Sequence, residues 1–309
     1  MGMLRFEWLN AFTRRGADVQ GNPATIAICS RFPSESEMKR AATLLGTNMT
    51  SFVVPASDPH TYQIRHFSPD GNENHVCGHA TIAAAESLAR KHPEYREGRD
   101  IIFLLNKRYG INEANQFQAS IEGEDITLTM PAIMNLTAAP DGFYKKLIKA
   151  LGIRREDSEG KAYYASRIDN YVLEIKNPEI LESIRPNFNR LVQLAKLHEF
   201  AHEGVMLTSR VREGSADIMT RVFLPAIGVN EDVACGSSMC SVVPYWKLHS
   251  KDDFGRDKNR FVNIFPYPPG GGEGRIGGVQ NVAIDVEKAV IKLTGQVTYH
   301  GSIKIPTLR

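Results

Sequence analysis

NENHVCGHA, residues 72–80, has a counterpart far along the chain, NEDVACGSS at 230–238. Both open on Asn-Glu and place Cys-Gly at the same spacing behind it. The likeness extends upstream, where IRHFSP (64–69) precedes the first copy and TRVFLP (220–225) the second. Each unit reads as strand, Phe-x-Pro, loop, Asn-Glu, Cys-Gly, helix. An element repeated at that length is most simply housed in two related halves. The first helix is expected to start at Gly78 and run to about Lys91, with an alanine-rich body that suits the inside of a curved sheet. The second is expected over 236–248, starting at its own Cys-Gly and bent by Pro244.

The chain around these elements supports a two-part α/β protein. Its 309 residues suit roughly two domains of about 150 residues. Strands are expected near 4–12, 24–29, 51–55, 62–68, 101–105, 117–121 and 126–130. Ser34 and Glu37 form a capping box ahead of a helix that Gly46 closes. Periodicity puts a change of domain near residue 120. A helix over 141–151 and strands near 162–166, 170–175, 204–210 and 216–225 follow. Hydrophobic residues make up 42% and charged residues 23%, enough to build cores and too apolar for disorder.

Charge and targeting signals narrow the function. A net charge of +2 without a long basic run argues against nucleic acid as a partner. No apolar run is long enough to span a bilayer, and the first residues carry no secretory pattern. Cys29, Cys77, Cys235 and Cys240 are therefore expected as reduced thiols in the cytoplasm. GEGRIG (272–277) fits G-x-G-x-x-G but follows PYPPGG, and VAIDV after it reads as a strand, so nucleotide binding gains little support.

A helix N-terminus presents unpaired amide N–H groups and a partial positive charge. It binds a carboxylate without side chains and favours the thiolate of a cysteine placed there. Two such ends would hold a carboxylate and set one thiol on each side of its α-carbon, with no metal and no organic cofactor. Cys77 and Cys235 are the candidate acid–base pair, with His79 and Asp232 as further candidates. Gly78 and Gly236 let a ligand approach the backbone. Cys29 and Cys240 read as packing residues, and the cysteine and histidine spacing does not suit a closed zinc site.

Four blocks in order, LNAFTRRGADVQGNPATIAI (9–28), CGHATIAAA (77–85), GVNEDVACGSSMCSVVPYW (228–246) and KLTGQVTYHGSIKI (292–305), resemble the phenazine-biosynthesis PhzF-like family of the diaminopimelate epimerase-like superfamily. The resemblance implies two similar barrel-like α/β (α+β) domains, each wrapped around a central helix, with the active site in the cleft between them. It returns the final strand to the first domain, giving 1–120 plus 297–309 and 121–296 as expected domains. It also implies a homodimer. By position, Asn22, Gly78, His79, Asp232, Gly236 and Ser237 match residues lining that family's site. The family's acid–base glutamate lies in a segment that here reads GTNMTSFV (46–53), so Met49, beside Asn48, takes its place. Where many members have Thr-Gly-Ser, this chain has Cys235-Gly236-Ser237, similar to the two-thiol racemases and epimerases of the superfamily.

The expectation is a cofactor-independent racemase or epimerase of an amino acid or related small carboxylate. One alternative is a proton-shift isomerase working through His79 and Asp232. Another is a ligand-binding protein without catalysis.

Overall fold

The computed structural model describes residues 3–74, 76–106, 115–197, 204–250, 254, 256–266 and 276–306. The chain packs as two compact units, Met1–Met130 with Lys292–Arg309, and Pro131–Ile291. Each is a mixed α+β assembly dominated by one curved sheet.

In the first unit, β1 (Met3–Thr13) and β2 (Asn22–Ile28) form a hairpin with Ala11 opposite Asn22. The helix α1 (Glu35–Leu45) crosses to β3 (Met49–Pro55), parallel to β2. β4 (Thr61–Phe67) runs antiparallel to β3, and the short β5 (Glu73–Asn74) folds back on β4 with His66 opposite Asn74. α2 (Gly78–Ala89) is the second crossover, leading to β6 (Ile101–Leu104), parallel to β4. β7 (Gln116–Glu122) and β8 (Asp125–Pro131) continue antiparallel. The last strand of the chain, Val290–Pro306, pairs with both β1 and β8. The circuit of pairings therefore closes into a barrel.

α2 fills that barrel. Every residue of the helix except Glu86 is buried, as a helix apolar on all sides must be. Its alanines let the sheet approach closely, and Glu86 turns out to meet Arg96 at 2.7 Å. α1 packs on the other face of the sheet, setting Met38, Ala41 and Ala42 against Phe6, Phe52 and Phe67. The expected capping box of Ser34 and Glu37 closes its start, and Gly46 its end.

The second unit repeats the plan. β9 (Leu136–Ala138) and α3 (Asp141–Leu151) precede β10 (Ser158–Ala165) and β11 (Asn170–Ile175). α4 (Pro178–Ser183) and α5 (Phe188–Ala195) cross to β12 (Gly204–Arg210), parallel to β11. β13 (Ile218–Leu224) runs antiparallel to β12, and β14 (Val229–Asp232) folds back on β13 with Val222 opposite Asp232. α6 (Met239–Leu248) crosses to β15 (Arg260–Pro266), parallel to β13, and β16 (Ile276–Asp285) pairs with β15. The final strand, β17, is the one already described. Unit for unit, the parallel and antiparallel pairings fall in the same order. Even the foldback register agrees, because His66–Asn74 and Val222–Asp232 occupy equivalent places in the two copies.

One expectation changes. α6 starts at Met239, not at 236. The carbonyls of Gly236, Ser237 and Ser238 instead accept N–H groups three residues on, at 3.3, 3.1 and 3.1 Å. Such tight turns precede an α-helix when side chains compete for the backbone. Ser238 Oγ does so here, donating to Cys235 O at 2.7 Å. Pro244 does lie within α6. It has no N–H for the carbonyl of Cys240, which takes the Ile133 N–H at 2.7 Å instead. The glycines Gly272 and Gly274 lie outside the described residues, and Ile276 onward is strand, without the helix a dinucleotide fingerprint requires. Among the described residues no helix is long and apolar enough to cross a membrane.

Candidate functional site

The first element is assembled from four segments of its barrel. Gly21 has φ +72°, and a Cβ there would lie 2.6 Å from Thr13 Cγ2 and 2.7 Å from Ala11 O. Only glycine fits this turn, and the turn delivers Asn22, fully buried, to the start of β2. Asn48, just ahead of β3, donates from Nδ2 to Asn22 Oδ1 at 2.8 Å. Beneath them Thr25 Oγ1 meets Thr47 Oγ1 at 3.0 Å and Thr50 Oγ1 at 2.8 Å, and Thr47 Oγ1 donates to Met49 O at 3.1 Å. Met49 is buried and its Sδ takes the amide of Asn74 at 3.6 Å. Met49 thus meets the foldback strand leading to Cys77.

Cys77 is the N-cap of α2, in extended conformation, and its side chain caps nothing. Its carbonyl accepts both Thr81 N (3.1 Å) and Thr81 Oγ1 (2.7 Å), so regular α-helix begins at once. The amides of Gly78, His79 and Ala80 precede the first intrahelical bond. Cys77 Sγ lies 3.3 Å from His79 Nδ1. Burial drives the His79 pKa down to about 3, with His66 adding to the fall. His79 is therefore a neutral imidazole beside the thiol. His66 behaves alike, lowered to about 4 by burial while Glu73 pulls the other way. Ser51 Oγ lies 2.7 Å from His66 Nδ1, and Thr81 Oγ1 lies 3.5 Å from Nε2. The hydroxyl hydrogen of Thr81 goes to Cys77 O, so Thr81 can only accept from His66. This puts the imidazole proton of His66 on Nε2 and makes Ser51 the donor to Nδ1.

The second element is built differently at the thiol. Asp232, buried on β14, accepts Ala234 N at 3.3 Å, which closes a local turn and does not cap α6. Cys235 is buried, with Sγ 3.4 Å from Ser237 Oγ. Its carbonyl accepts Ser238 Oγ and, at 3.3 Å, the side-chain amide of Gln280. Gln280 is fully buried and stands opposite Asn263 across β15 and β16. The structure thus groups Asn22, Asn48, Met49, Cys77, Gly78 and His79 in one unit, and Asp232, Cys235, Gly236 and Ser237 in the other. The remaining cysteines suit packing: burial pushes the Cys240 thiol up to about 12 and raises Cys29 as well.

Sequence reading missed one shared feature. Arg65 grips Glu73 through Nε (2.8 Å) and Nη2 (2.6 Å), and Arg221 grips Glu231 through Nε (2.7 Å) and Nη2 (2.9 Å). Each arginine precedes a phenylalanine by two residues and lies over its ring, 5.3 Å from the centroid of Phe67 and 4.9 Å from that of Phe223. The signal was available, since IRHFSP and TRVFLP carry arginine at the same offset.

Comparison with known proteins agrees with this architecture. The family model for phenazine biosynthesis-like proteins matches residues 9–300. An uncharacterized isomerase of Halalkalibacterium halodurans is 30% identical over 239 residues, 77% of this chain and 80% of that protein. A phenazine biosynthesis protein of the PhzF family from Enterococcus faecalis superposes with a TM-score of 0.75 at 20% identity, over 99% of this chain and 100% of that one. A predicted epimerase from Pseudomonas aeruginosa gives 0.74 at 16% identity, again over 99% and 100%.

Proposed function

The chain belongs to the phenazine biosynthesis-like family, and from that premise we propose that it is an isomerase that inverts the α-carbon of an amino acid or related small carboxylate through Cys77 and Cys235. The observation that carries this reading is the pair of matched Cys-Gly elements combined with Met49. Met49 cannot carry a proton, and it occupies the place of the family's acid. Two cysteines with equivalent positions in equivalent topologies remain. The isomerase name of the Halalkalibacterium relative and the epimerase name of the Pseudomonas structure support the same class.

In this mechanism one thiolate takes the α-proton and the other cysteine, as thiol, returns a proton to the opposite face. The negative charge that develops on the carboxylate is met by amide N–H groups at the Cys-Gly turns. The two cysteines exchange roles between enantiomers. The chemistry needs no cofactor, and the expected partner is the substrate alone, with a homodimer as the expected assembly and the cytoplasm as the expected location.

The test is a panel of amino acids and cyclic acids in deuterium oxide, read for α-deuterium and for loss of optical activity. Cys77→Ser and Cys235→Ser should each lower stereoinversion by roughly 1,000-fold, within the usual range for loss of an acid–base group. Each should still exchange the α-proton of one enantiomer, because one base remains. Full activity in both variants would refute the two-thiol reading. It would favour a proton shift using His79 together with Asp232. A panel that yields binding without exchange would leave a ligand-binding protein.

A further inference from the structure

We propose that the Arg65–Glu73 and Arg221–Glu231 forks are positioning devices, each setting the place of the cysteine four residues beyond its glutamate. The inference builds on the two-cysteine reading, but its test reads the thiols directly and needs no substrate.

The geometry is the same in both units. The arginine stands on the strand before the foldback, and the glutamate stands on the foldback strand itself. The next residue of each pairs across that ladder, His66 with Asn74 and Val222 with Asp232. The fork thus ties the short strand to its long neighbour by side chains as well as by backbone. Two-residue and four-residue strands have few ladder bonds of their own. A bidentate guanidinium–carboxylate pair adds two charge-assisted bonds with a fixed planar geometry. Three residues then separate the glutamate from its cysteine, so a locked glutamate confines the thiol to a short reach.

A direct chemical role for the glutamates is harder to reconcile with their contacts. Both oxygens of Glu73 and of Glu231 are engaged by the guanidinium, and Glu73 Oε1 also takes Asn106 Nδ2 at 3.1 Å. Arg221 is equally committed, because Nη1 donates to the carbonyls of Leu181 (2.9 Å), in the last turn of α4, and of Ile184 (2.8 Å), just beyond it. A carboxylate with both oxygens held by one planar guanidinium is a good anchor.

The test is site-resolved alkylation with iodoacetamide, quantified by mass spectrometry on the intact 309-residue protein. The variants are Glu73→Gln, Arg65→Lys and Glu231→Gln. Each keeps size, and each removes the fork. Leu147→Ala, in the core of the second unit, is the control for plain loss of stability. Glu73→Gln and Arg65→Lys should raise the Cys77 rate about tenfold and leave Cys235 within twofold. Glu231→Gln should do the reverse. Tenfold corresponds to about 1.4 kcal/mol of lost restraint, the scale of one charge-assisted bond. Lysine keeps the charge but not the fork, so its failure to rescue is part of the claim. The proposal fails if neither rate changes, or if both cysteines respond together in proportion to melting temperature as in Leu147→Ala. If Glu231→Gln does not fold, the two variants at the less deeply buried Arg65–Glu73 pair decide the question alone.

Discussion

The two Cys-Gly elements share a frame and differ at the thiol. Both have the fork, the foldback register and a cysteine whose carbonyl is fixed by a hydroxyl. In the first, helix follows directly and an imidazole lies 3.3 Å from sulfur. In the second, three tight turns intervene and a serine hydroxyl lies 3.4 Å from sulfur. Under the two-thiol proposal, a frame held in common with unlike neighbours would let each cysteine make the same kind of proton transfer with a partner group of its own. The neutral His79 can accept from or donate to sulfur, whereas Ser237 offers a weaker, rotatable hydroxyl.

That difference should be visible in proton exchange. The equilibrium between enantiomers ties the two directions of inversion together, so inversion efficiency cannot fall in one direction only. Exchange of the α-proton with solvent is not so tied. His79→Asn should slow exchange from the enantiomer that Cys77 deprotonates by roughly 10- to 100-fold, within the range of one supporting acid–base contact. Exchange from the other enantiomer should stay within about threefold of the parent, the ordinary spread for a residue outside that transfer. Ser237→Ala should show the opposite bias, and a smaller one. Equal losses from both enantiomers in both variants would break the idea that each neighbour serves its own cysteine.

A second consequence concerns acid. His66 and His79 are buried and neutral in the first unit, while Val222 and Ser237 take the equivalent places in the second. Unfolded imidazoles bind protons below about 6.5, whereas the folded pair resists until about 4 and about 3. The unfolded state therefore binds more protons in that window, and stability is greatest above about 6.5 and falls as pH drops. The slope is up to roughly 1.4 kcal/mol per pH unit for each histidine. Urea titrations between pH 7 and pH 5 should show this loss, and hydrogen exchange should place it in the first unit. His79→Ser, which borrows the residue of the second unit, should remove about half of the slope. A loss of protection spread evenly over both units would contradict the assignment.

Much of the frame could be read from residues alone, because its causes are local. Ser34 and Glu37 close a helix start through their own side chains, and the apolar run after Cys77 admits only a buried helix. The start of α6 could not be read in the same way. Gly236, Ser237 and Ser238 look like a helix entry, but the bond from Ser238 Oγ to Cys235 O favours tight turns first. The forks escaped notice because each pairs residues eight or ten positions apart that only the foldback register brings together. The chain from Ser51 through His66 to Thr81 depends on three elements meeting inside a barrel. Asn22, Asn48 and Met49 came from likeness to the family's pattern, and the turn at Gly21 shows the physical reason the first of them sits where it does.

Met49 offers the smallest expected effect and the sharpest contrast between the units. The first residue of β3 in one unit corresponds to the first residue of β12, Gly204, in the other. A Cβ at Gly204 would lie 2.3 Å from Leu224 Cδ2 and 2.5 Å from Phe223 O, so no side chain fits there. The first unit alone has room at this position, and it fills the room with a thioether that receives the Asn74 amide. In Met49→Glu, a carboxyl at this buried place would be raised toward the neutral form by desolvation. It would offer a hydrogen bond to its surroundings and no ready base. If the two thiols carry the chemistry, native turnover in Met49→Glu should not rise, and a fall of up to about tenfold from disturbed packing is expected. The measurement is deuterium exchange and stereoinversion on the substrate found by the panel, alongside a proton-shift assay on unsaturated cyclic acids. A large gain in native turnover would mean that the site works through a carboxylic acid after all, with the cysteines as bystanders. A gain confined to the proton-shift assay would instead leave the two-thiol reading intact and show that one side chain separates the two chemistries on this frame.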